Sequence, residues 1–404
     1  MNKLSHLLLA LCLAAAPLSA KDADGKKKKG PDKKREVIEV CFVLDTTGSM
    51  GGLIEGAKQK IWSISNEILA SEPTPDLRIA LIGYRDRSDA YVTKIHDLSE
   101  DLDDVYANLM KFQAQGGGDT PESVNQALHE SVTKIKWDKS RDVLKLVFLV
   151  GDAPPHMDYQ DDVKYPEVCK LAVKKDLVVN SVQCGNMAST TPIWKEIAKL
   201  AEGDYVAIAQ TGGVAAISTP VDAEIARINR ELGGTVEAYG DSRLRTRVYE
   251  KVELAKKADE EVAADRLAAL SLKSKASSVY LAGRSGAAAL DIGASAPATA
   301  SGFFSASFID GEGDLVDGLL SGRYAYDKLE EDKFTEKLKK MKPAERKAYL
   351  EKQVAKRREL QKRLDELLVE RRKHVETEKA RLAKEGKSDG FDSKVSEIIS
   401  KRRR

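Results

Sequence analysis

Short apolar runs that alternate with helical segments are the feature that most constrains this fold. Three runs are apolar along almost their whole length, as strands buried on both faces must be: 37–44, 77–84 and 143–150. Shorter strand candidates are Ala90–Leu98, Leu177–Val182 and Asp204–Ile208, and helical spacing fills most of the intervals. Strands alternating with helices predict a parallel sheet covered on both faces. We therefore predict one doubly wound, mostly parallel α/β domain over residues 37–231.

The first 36 residues differ from the rest of the chain in composition. Lys3 precedes an apolar run over Leu7–Ala16, and the small residues Ser19 and Ala20 come directly before a charged stretch. A positive start, a short apolar run and a small-residue site indicate a secretory signal peptide over residues 1–20. Residues 21–36 predict a charged, flexible leader. We expect an exported protein, periplasmic or secreted, with no transmembrane segment, because no apolar run reaches the roughly 20 residues that span a bilayer.

Beyond residue 231 the chain is predominantly helical and charged. We predict a helical segment over residues 232–281, an Ala-, Gly- and Ser-rich linker or irregular region over 282–326, and a charged, partly coiled-coil helical region over 327–404. Pro343 either interrupts the last region or begins a second helix there. The heptad pattern of this region is broken, and the residues that break it are Arg357, Gln361 and Arg371.

The charge of the chain is unevenly distributed. Residues 328–404 contain 26 Lys and Arg against 16 Asp and Glu, a net of +10, and because the whole chain is +2 the rest carries −8. Such an asymmetry predicts either a solvated helix or contact of the basic C-terminus with an anionic surface. Aromatic residues make up only 6% of the chain, which argues against stacking on nucleic-acid bases. We predict no nucleic-acid partner.

Three cysteines follow the predicted signal peptide, namely Cys41, Cys169 and Cys184. Four Cys and five His in the whole chain are too few for a dense disulfide scaffold or a Cys-rich zinc protein. Cys41 and Cys184 lie in apolar strand-like runs, and Cys169 lies on a predicted helix, so we interpret all three as small buried residues. A Cys41–Cys184 disulfide is the alternative, because export implies an oxidising compartment.

Carboxylate and hydroxyl side chains lie where the predicted strands end. The residues are Asp45, Thr47 and Ser49 after the first strand, Thr120 and Glu122 before a helix, and Asp152 after the third strongly apolar strand. The carboxyl ends of parallel strands share one edge of a sheet, so these side chains are expected to converge there. Oxygen ligands favour Mg²⁺, with Mn²⁺ and Ca²⁺ as alternatives, over zinc.

The pattern Asp45-x-Thr47-x-Ser49, with Thr120 and Asp152, resembles the metal-ion-dependent adhesion site of von Willebrand factor type A domains. The resemblance covers about half of the chain. It implies a non-enzymatic adhesion or scaffold module that captures an exposed Asp or Glu of a protein partner through one divalent cation. The stretch from Asp119 to Glu122 is also similar to the integrin β-subunit version, in which a Glu completes the site, so either Thr120 or Glu122 is the expected ligand.

A single ion is expected, because the integrin-like extra ion would need acidic residues where this chain has Gly51, Gly52 and Leu53. Three further residues lie close to the predicted site in sequence and are candidates for contact with a partner: Asp86, His156 and Asp158.

Three alternatives to this interpretation remain. Asp45 and Ser49 are also typical helix-capping residues, although capping does not account for Asp152. A metal-assisted hydrolase would use the same ion with His156 as its base. A structural protein would act through the C-terminal helices, with the α/β domain as an anchor.

Overall fold

A mostly parallel sheet lies at the centre of the fold. The computed structural model describes residues 35–210, 217–285, 307–385 and 391–403. Within these residues the sheet has six strands in the order β3-β2-β1-β4-β5-β6. The strands are β1 Val37–Asp45, β2 Asp76–Tyr84, β3 Thr93–Ser99, β4 Val143–Gly151, β5 Leu177–Cys184 and β6 Tyr205–Ile208. Every neighbouring pair is parallel except β2 and β3, which are antiparallel.

Helices follow the strands and continue to the C-terminal end of the described chain. They are α1 Gly51–Leu69, α2 Leu102–Leu109, α3 Val124–Thr133, α4 Tyr165–Lys174, α5 Thr190–Leu200, α6 Asp222–Gly233, α7 Ser242–Lys257, α8 Glu260–Ser285, α9 Leu315–Leu320, α10 Glu336–Lys339, α11 Pro343–Lys384 and α12 Phe391–Arg402. Short 3-10 turns cover Gly48–Met50, Tyr326–Lys328 and Glu331–Lys333. Among the helices that the structure describes, none combines the length and apolar character needed to cross a bilayer.

The sheet is buried on both faces, as the apolar runs predict. Alternate residues of β1 point to opposite sides, with Val40 and Phe42 in one core and Cys41 and Val43 in the other. The first core is built with side chains of α1, α2, α8 and α12, and the second with side chains of α3, α4 and α5. This three-layer arrangement confirms the predicted α/β fold class with a helical C-terminal region.

The C-terminal helices pack on the α/β layers. The Phe391 ring of α12 lies 6.0 Å from the Phe42 ring of β1, in an edge-to-face arrangement, and α12 also packs on α1. The Arg403 guanidinium donates to Glu36 Oε2 at 2.6 Å, which joins the last described residues to the start of β1. Residues from Arg35 onward form one compact unit.

The long helix α11 packs along α6 and α9 of the same chain. The two arginines that interrupt its heptad pattern are buried there. Arg371 Nε donates to Asp222 Oδ1 at 2.8 Å, and Arg357 forms an ion pair with Asp314. Buried ion pairs with acidic residues therefore account for these interruptions, and they neutralise part of the positive charge of the C-terminal region. Of the two alternatives for Pro343, the structure shows the second, because Pro343 begins the helix α11.

Two regions differ from the helical pattern of the sequence. Within the helical segment predicted over residues 232–281, the structure has α7 and most of α8, with an extended Ala258 between them. Residues 307–326, within the predicted linker or irregular region, contain α9 and the buried side chains of Phe308 and Ile309. These two large apolar residues pack onto the helices. The sequence does not indicate this, because small residues predominate around them.

Several sequence predictions concern residues outside the described ranges. They include the signal peptide over residues 1–20 and almost all of the leader over residues 21–36. In the described part of the chain, Cys41, Cys169 and Cys184 are free and buried. Burial raises the pKa of the thiols of Cys41 and Cys169 far above the ordinary value, so both are inert small residues.

Candidate functional site

The carboxyl ends of β1 and β4 form the base of the candidate site. The two strands are adjacent and parallel, with Leu44 paired to Val150, so Asp45 and Asp152 emerge at the same edge of the sheet. Gly151 allows the side chain of Asp45 to lie close to the end of β4. A Cβ at Gly151 would lie 3.1 Å from Asp45 Oδ2 and 2.4 Å from the Tyr84 hydroxyl. The absence of a side chain here lets the Asp45 carboxylate pack directly against the end of β4.

Asp45 is fully buried and only half of its carboxylate is paired. Its Oδ1 accepts hydrogen bonds from the Thr47 backbone N–H at 2.9 Å and the Thr47 hydroxyl at 2.6 Å. The Thr47 and Ser49 hydroxyl oxygens lie 3.2 Å apart, and Ser49 is exposed. Asp45 Oδ2 has no hydrogen-bond partner within the described residues. A buried, unpaired carboxylate oxygen is costly, which indicates that this loop is shaped to meet a positive charge.

Glu122 supplies a second buried carboxylate at the same place. Its backbone N–H donates to Pro154 O at 3.0 Å, and its own carbonyl accepts from the His156 N–H at 3.1 Å. These bonds tie the loop before α3 to the loop after β4. Glu122 Oε2 has no partner in the part of the chain that the structure describes. Thr120, by contrast, is exposed, so the buried group at this position of the loop is the Glu122 carboxylate.

Asp152 is held at the outer side of the site. Its carbonyl accepts a hydrogen bond from the Thr190 hydroxyl at 2.8 Å, which fixes the backbone after β4 against α5. Its Oδ2 accepts from Gln210 Nε2 at 2.7 Å, and the same amide nitrogen lies 3.3 Å from the Ser49 carbonyl oxygen. Gln210 therefore bridges two loops of the site. It follows the short strand β6 without any motif, so no sequence signal points to it.

The electrostatics of the cluster favour a cation. Burial raises the pKa of Asp45 to about 7, and the Asp152 charge adds to this, whereas the hydrogen bonds from Thr47 oppose it. Burial also raises the pKa of Glu122 to about 9, with further contributions from Asp45, Asp86, Asp89 and Asp152. The carboxylates thus repel one another across a short distance. Together with the Thr47 and Ser49 hydroxyls, they offer hard oxygen donors that fit a divalent cation such as Mg²⁺.

Asp86, His156 and Asp158 form a group beside this site. Asp86 follows β2, and its two oxygens accept hydrogen bonds from the Ser123 and Tyr159 hydroxyls, both at 2.8 Å. His156 Nδ1 lies 2.8 Å from Asp158 Oδ1, and His156 Nε2 lies 3.6 Å from Asp86 Oδ2. Asp86 and His156 are buried, whereas the Asp158 side chain is 72% exposed. The three predicted contact residues are therefore together, but mainly Asp158 offers an exposed surface.

The arrangement of strands, helices and loops agrees with a known family. The family model for the von Willebrand factor A domain matches residues 39–220. This part of the chain is therefore similar to a von Willebrand factor A domain. The match begins in β1, includes every strand of the sheet and every residue of the candidate site, and ends before α6. Domains of this family typically mediate protein–protein interaction.

Individual relatives match over limited parts of the chain. A protein of Acanthamoeba polyphaga mimivirus, named as an ariadne-like RING finger protein, is 28% identical over 120 residues, which are 30% of this chain and only 11% of the viral protein. Two solved structures are also similar over 44% of this chain. The SpRpn10 von Willebrand factor A domain has 12% identity, 89% coverage of its own chain and a TM-score of 0.34. Proximal thread matrix protein 1 from the mussel byssus has 14% identity, 42% coverage and a TM-score of 0.32.

Gly117 provides a test of how tightly the loop closes over the site. Its backbone has a φ of +76°, and a Cβ there would lie 3.0 Å from Thr47 Cβ and 3.2 Å from Glu122 Oε1. We expect Gly117→Ala to lower the free energy of unfolding by about 1–2 kcal/mol, because a side chain is strained in the left-handed region. It should also weaken Mg²⁺ binding, measured by calorimetric titration, because it displaces the Thr47 and Glu122 side chains.

The neighbouring residue Gly118 is the matched control. A Cβ at Gly118 meets no atom of the described residues within 4 Å. Gly118→Ala should therefore leave both the unfolding free energy and the Mg²⁺ affinity within error of the parent protein. Equal effects of the two substitutions would contradict the close packing of Gly117 on the site.

Proposed function

We propose that the von Willebrand factor A domain of this chain binds an acidic side chain of a protein partner through one divalent cation, with Mg²⁺ as the first choice. The observation that supports this is the pair of buried, unpaired oxygens, Asp45 Oδ2 and Glu122 Oε2, at one edge of the sheet. The set of residues that would hold the ion is Asp45, Thr47, Ser49, Glu122 and Asp152. Thr120, which is exposed, would lie at the rim of the site.

The mixture of neutral and charged donors suits ligand capture. Thr47 and Ser49 contribute hydroxyls, which do not cancel the charge of an ion. A bound ion would supply a residual positive charge and an open coordination position for a carboxylate oxygen. Ser49 is exposed, so this position would face solvent on the Ser49 side of the site. A partner with an accessible Asp or Glu therefore fits the site better than a neutral partner.

The proposed activity is non-enzymatic. A hydrolase at this site would need His156 as a free base, but its Nδ1 lies within hydrogen-bond distance of Asp158 and its Nε2 faces the Asp86 carboxylate. We further propose that the domain acts after export, in the periplasm or outside the cell, as the N-terminal sequence predicts. The basic surface of the C-terminal helices would then be available to an anionic surface.

Capture of an acidic ligand is the direct test. The immobilised full chain is presented with a peptide array in which each peptide carries one exposed Glu, Gln, Asp or Asn at the same position. With Mg²⁺ present we expect retention of peptides that carry Glu or Asp, with amide counterparts bound at least about 10-fold more weakly, since the loss of one charged contact costs on the order of 1.5–3 kcal/mol.

EDTA should abolish this preference, and added Mg²⁺ or Mn²⁺ should restore it. Retention that is equal for acidic and amide peptides, or equal with and without chelator, would exclude cation-mediated capture. A peptide set carrying Lys at the variable position controls for simple attraction to the acidic body of the protein.

A further inference from the structure

A second group of ligand-type side chains lies beside the adhesion-type site. It consists of Asp86, Asp119 and His156, and one ligand atom from each lies within 4.8 Å of the others. The residues come from the loop after β2, the loop before α3 and the loop after β4. Three chain segments thus converge on a volume of the size that one metal ion and its ligands occupy. None of these three residues belongs to the set that holds the first ion.

His156 carries the observation that points to a ligand. The residue is only 5% exposed, and its Nε2 has no hydrogen-bond partner within the described residues. Its Nδ1 lies 2.8 Å from Asp158 Oδ1, and that carboxylate can only accept, so the ring proton lies on Nδ1. In the neutral ring the Nε2 lone pair then faces Asp86 Oδ2 at 3.6 Å. Two electron-rich atoms held face to face in a buried site are stabilised by a cation between or beside them.

The surrounding residues hold this arrangement in place. The His156 ring stacks on the Tyr159 ring with centroids 4.0 Å apart, and the Tyr159 hydroxyl donates to Asp86 Oδ2. Ser123 donates to Asp86 Oδ1 at 2.8 Å, and Asn125 Nδ2 donates to the His156 carbonyl at 2.6 Å. Each Asp86 oxygen keeps a lone pair, because a carboxylate oxygen accepts more than one bond. Orientation of a ligating imidazole by a carboxylate on its other nitrogen is typical of metal sites.

We propose that Asp86, Asp119 and His156 form a second metal site that takes Zn²⁺ or a similar first-row transition-metal ion. One imidazole nitrogen with two carboxylates is a donor set that suits zinc, whereas Mg²⁺ avoids nitrogen ligands. Asp119 is exposed, so the site is open on one side and leaves room for water. The proposal adds a second ion to the single ion that the sequence predicts from Gly51, Gly52 and Leu53, because those residues begin α1 and are not part of this group.

Metal titration of the full chain tests the proposal. The protein is stripped with chelator, saturated with excess Mg²⁺ to fill the first site, and titrated with Zn²⁺ by calorimetry. A parallel titration with Co²⁺ follows the visible absorption that a nitrogen ligand alters. We expect one Zn²⁺ equivalent in the parent protein, loss of that equivalent in His156→Ala, and a Zn²⁺ affinity reduced by about 10–100-fold in Asp158→Asn, which only orients the imidazole.

The controls separate a metal site from a simple ion pair. His374 is exposed on α11, and His374→Ala should keep the parent stoichiometry and affinity. Asp119→Asn replaces an exposed ligand and should weaken Zn²⁺ binding without unfolding the protein, so it carries the test if His156→Ala misfolds. Parent-like Zn²⁺ binding in both His156→Ala and Asp119→Asn would overturn the proposal, and so would the absence of Zn²⁺ binding by the parent protein, which would leave an imidazolium ion pair as the role of His156.

This outcome is independent of the adhesion proposal. Asp45→Asn should retain the Zn²⁺ equivalent, and Asp119→Asn should retain Mg²⁺-dependent capture of acidic peptides. Failure of either proposal is therefore visible without the other.

Discussion

Asp45→Asn is expected to weaken Mg²⁺ binding by more than about 100-fold, beyond the range typical for loss of an indirect metal contact. The substitution removes the charge of a fully buried carboxylate whose Oδ2 is unpaired. Asn keeps an oxygen that can accept the two hydrogen bonds from Thr47. The loop should therefore keep its shape, while both the affinity for the ion and the capture of acidic peptides disappear.

The same substitution should have the opposite effect on stability when chelator is present. Without an ion, the ionised Asp45 is a buried charge that repels Asp152, and a neutral amide removes this cost. We expect Asp45→Asn in EDTA at pH 8 to raise the free energy of unfolding by about 1–3 kcal/mol. In saturating Mg²⁺ the order should reverse, because only the parent protein gains the binding free energy.

The increase in the free energy of unfolding that Asp45→Asn produces in EDTA should depend on pH in a defined direction. The pKa of Asp45 is about 7 in the fold against an ordinary value of 3.8, so the folded state holds the proton more tightly than the unfolded state. The contribution of this group to stability is therefore greatest below about pH 4 and is lost as the pH rises to about 7. The stabilisation by Asp45→Asn should be larger at pH 8 than at pH 4.

Thermal and urea unfolding of the full chain measure these effects, with Asp142→Asn as the control. Asp142 is exposed and directly precedes β4, at the opposite end of that strand from the site. The stability of Asp142→Asn should therefore respond to Mg²⁺ and to EDTA in the same way as that of the parent protein. A stability of Asp45→Asn below that of the parent protein in EDTA at pH 8 would contradict the electrostatic account of the site.

Arg266→Ala should lower the free energy of unfolding by about 3–5 kcal/mol, the largest change in stability that we expect. The guanidinium of Arg266 in α8 is fully buried and forms two hydrogen bonds to Asp103 in α2, at 2.7 and 2.8 Å. It also donates to the Phe308 carbonyl at 2.6 Å. Truncation leaves the Asp103 carboxylate buried without its partner, and that unpaired charge causes most of the loss.

Urea denaturation followed by circular dichroism measures the change in the full chain. The exposed pair of Lys170 with Glu167, at 2.8 Å, supplies the control, and Lys170→Ala should cost less than about 1 kcal/mol. Replacing both Arg266 and Asp103 by Leu should recover part of the stability that Arg266→Ala loses. If the double variant is less stable than Arg266→Ala, the loss does not come from the unpaired charge.

Much of the fold follows from local patterns in the sequence. The apolar runs that become β1, β2 and β4 are fully buried strands, and their composition alone requires a layer on each face. The position of Asp45 and Asp152 at the ends of such runs is also sufficient to predict that they meet. Local patterns predict these strands well, because a strand that is buried on both faces must be apolar along almost its whole length.

Other features depend on partners that are distant in the chain. Arg357 and Arg371 interrupt a heptad pattern, but they pair with acidic residues in α6 and before α9. The position of Glu122 depends on its backbone hydrogen bonds to the loop after β4. Gln210 reaches Asp152 across 58 positions of sequence. Spacing within one segment contains no information on such contacts.

The position of α12 has a consequence for how the molecule is made. This helix covers the sheet beside β1, and Arg403 pairs with Glu36, so residues that are 367 positions apart in the sequence are neighbours. The hydrophobic layer over β1 therefore cannot close until α12 has been synthesised. Until then Phe42 and its neighbours lack the Phe391 side chain that covers them, and such exposed apolar surface favours self-association of the nascent protein.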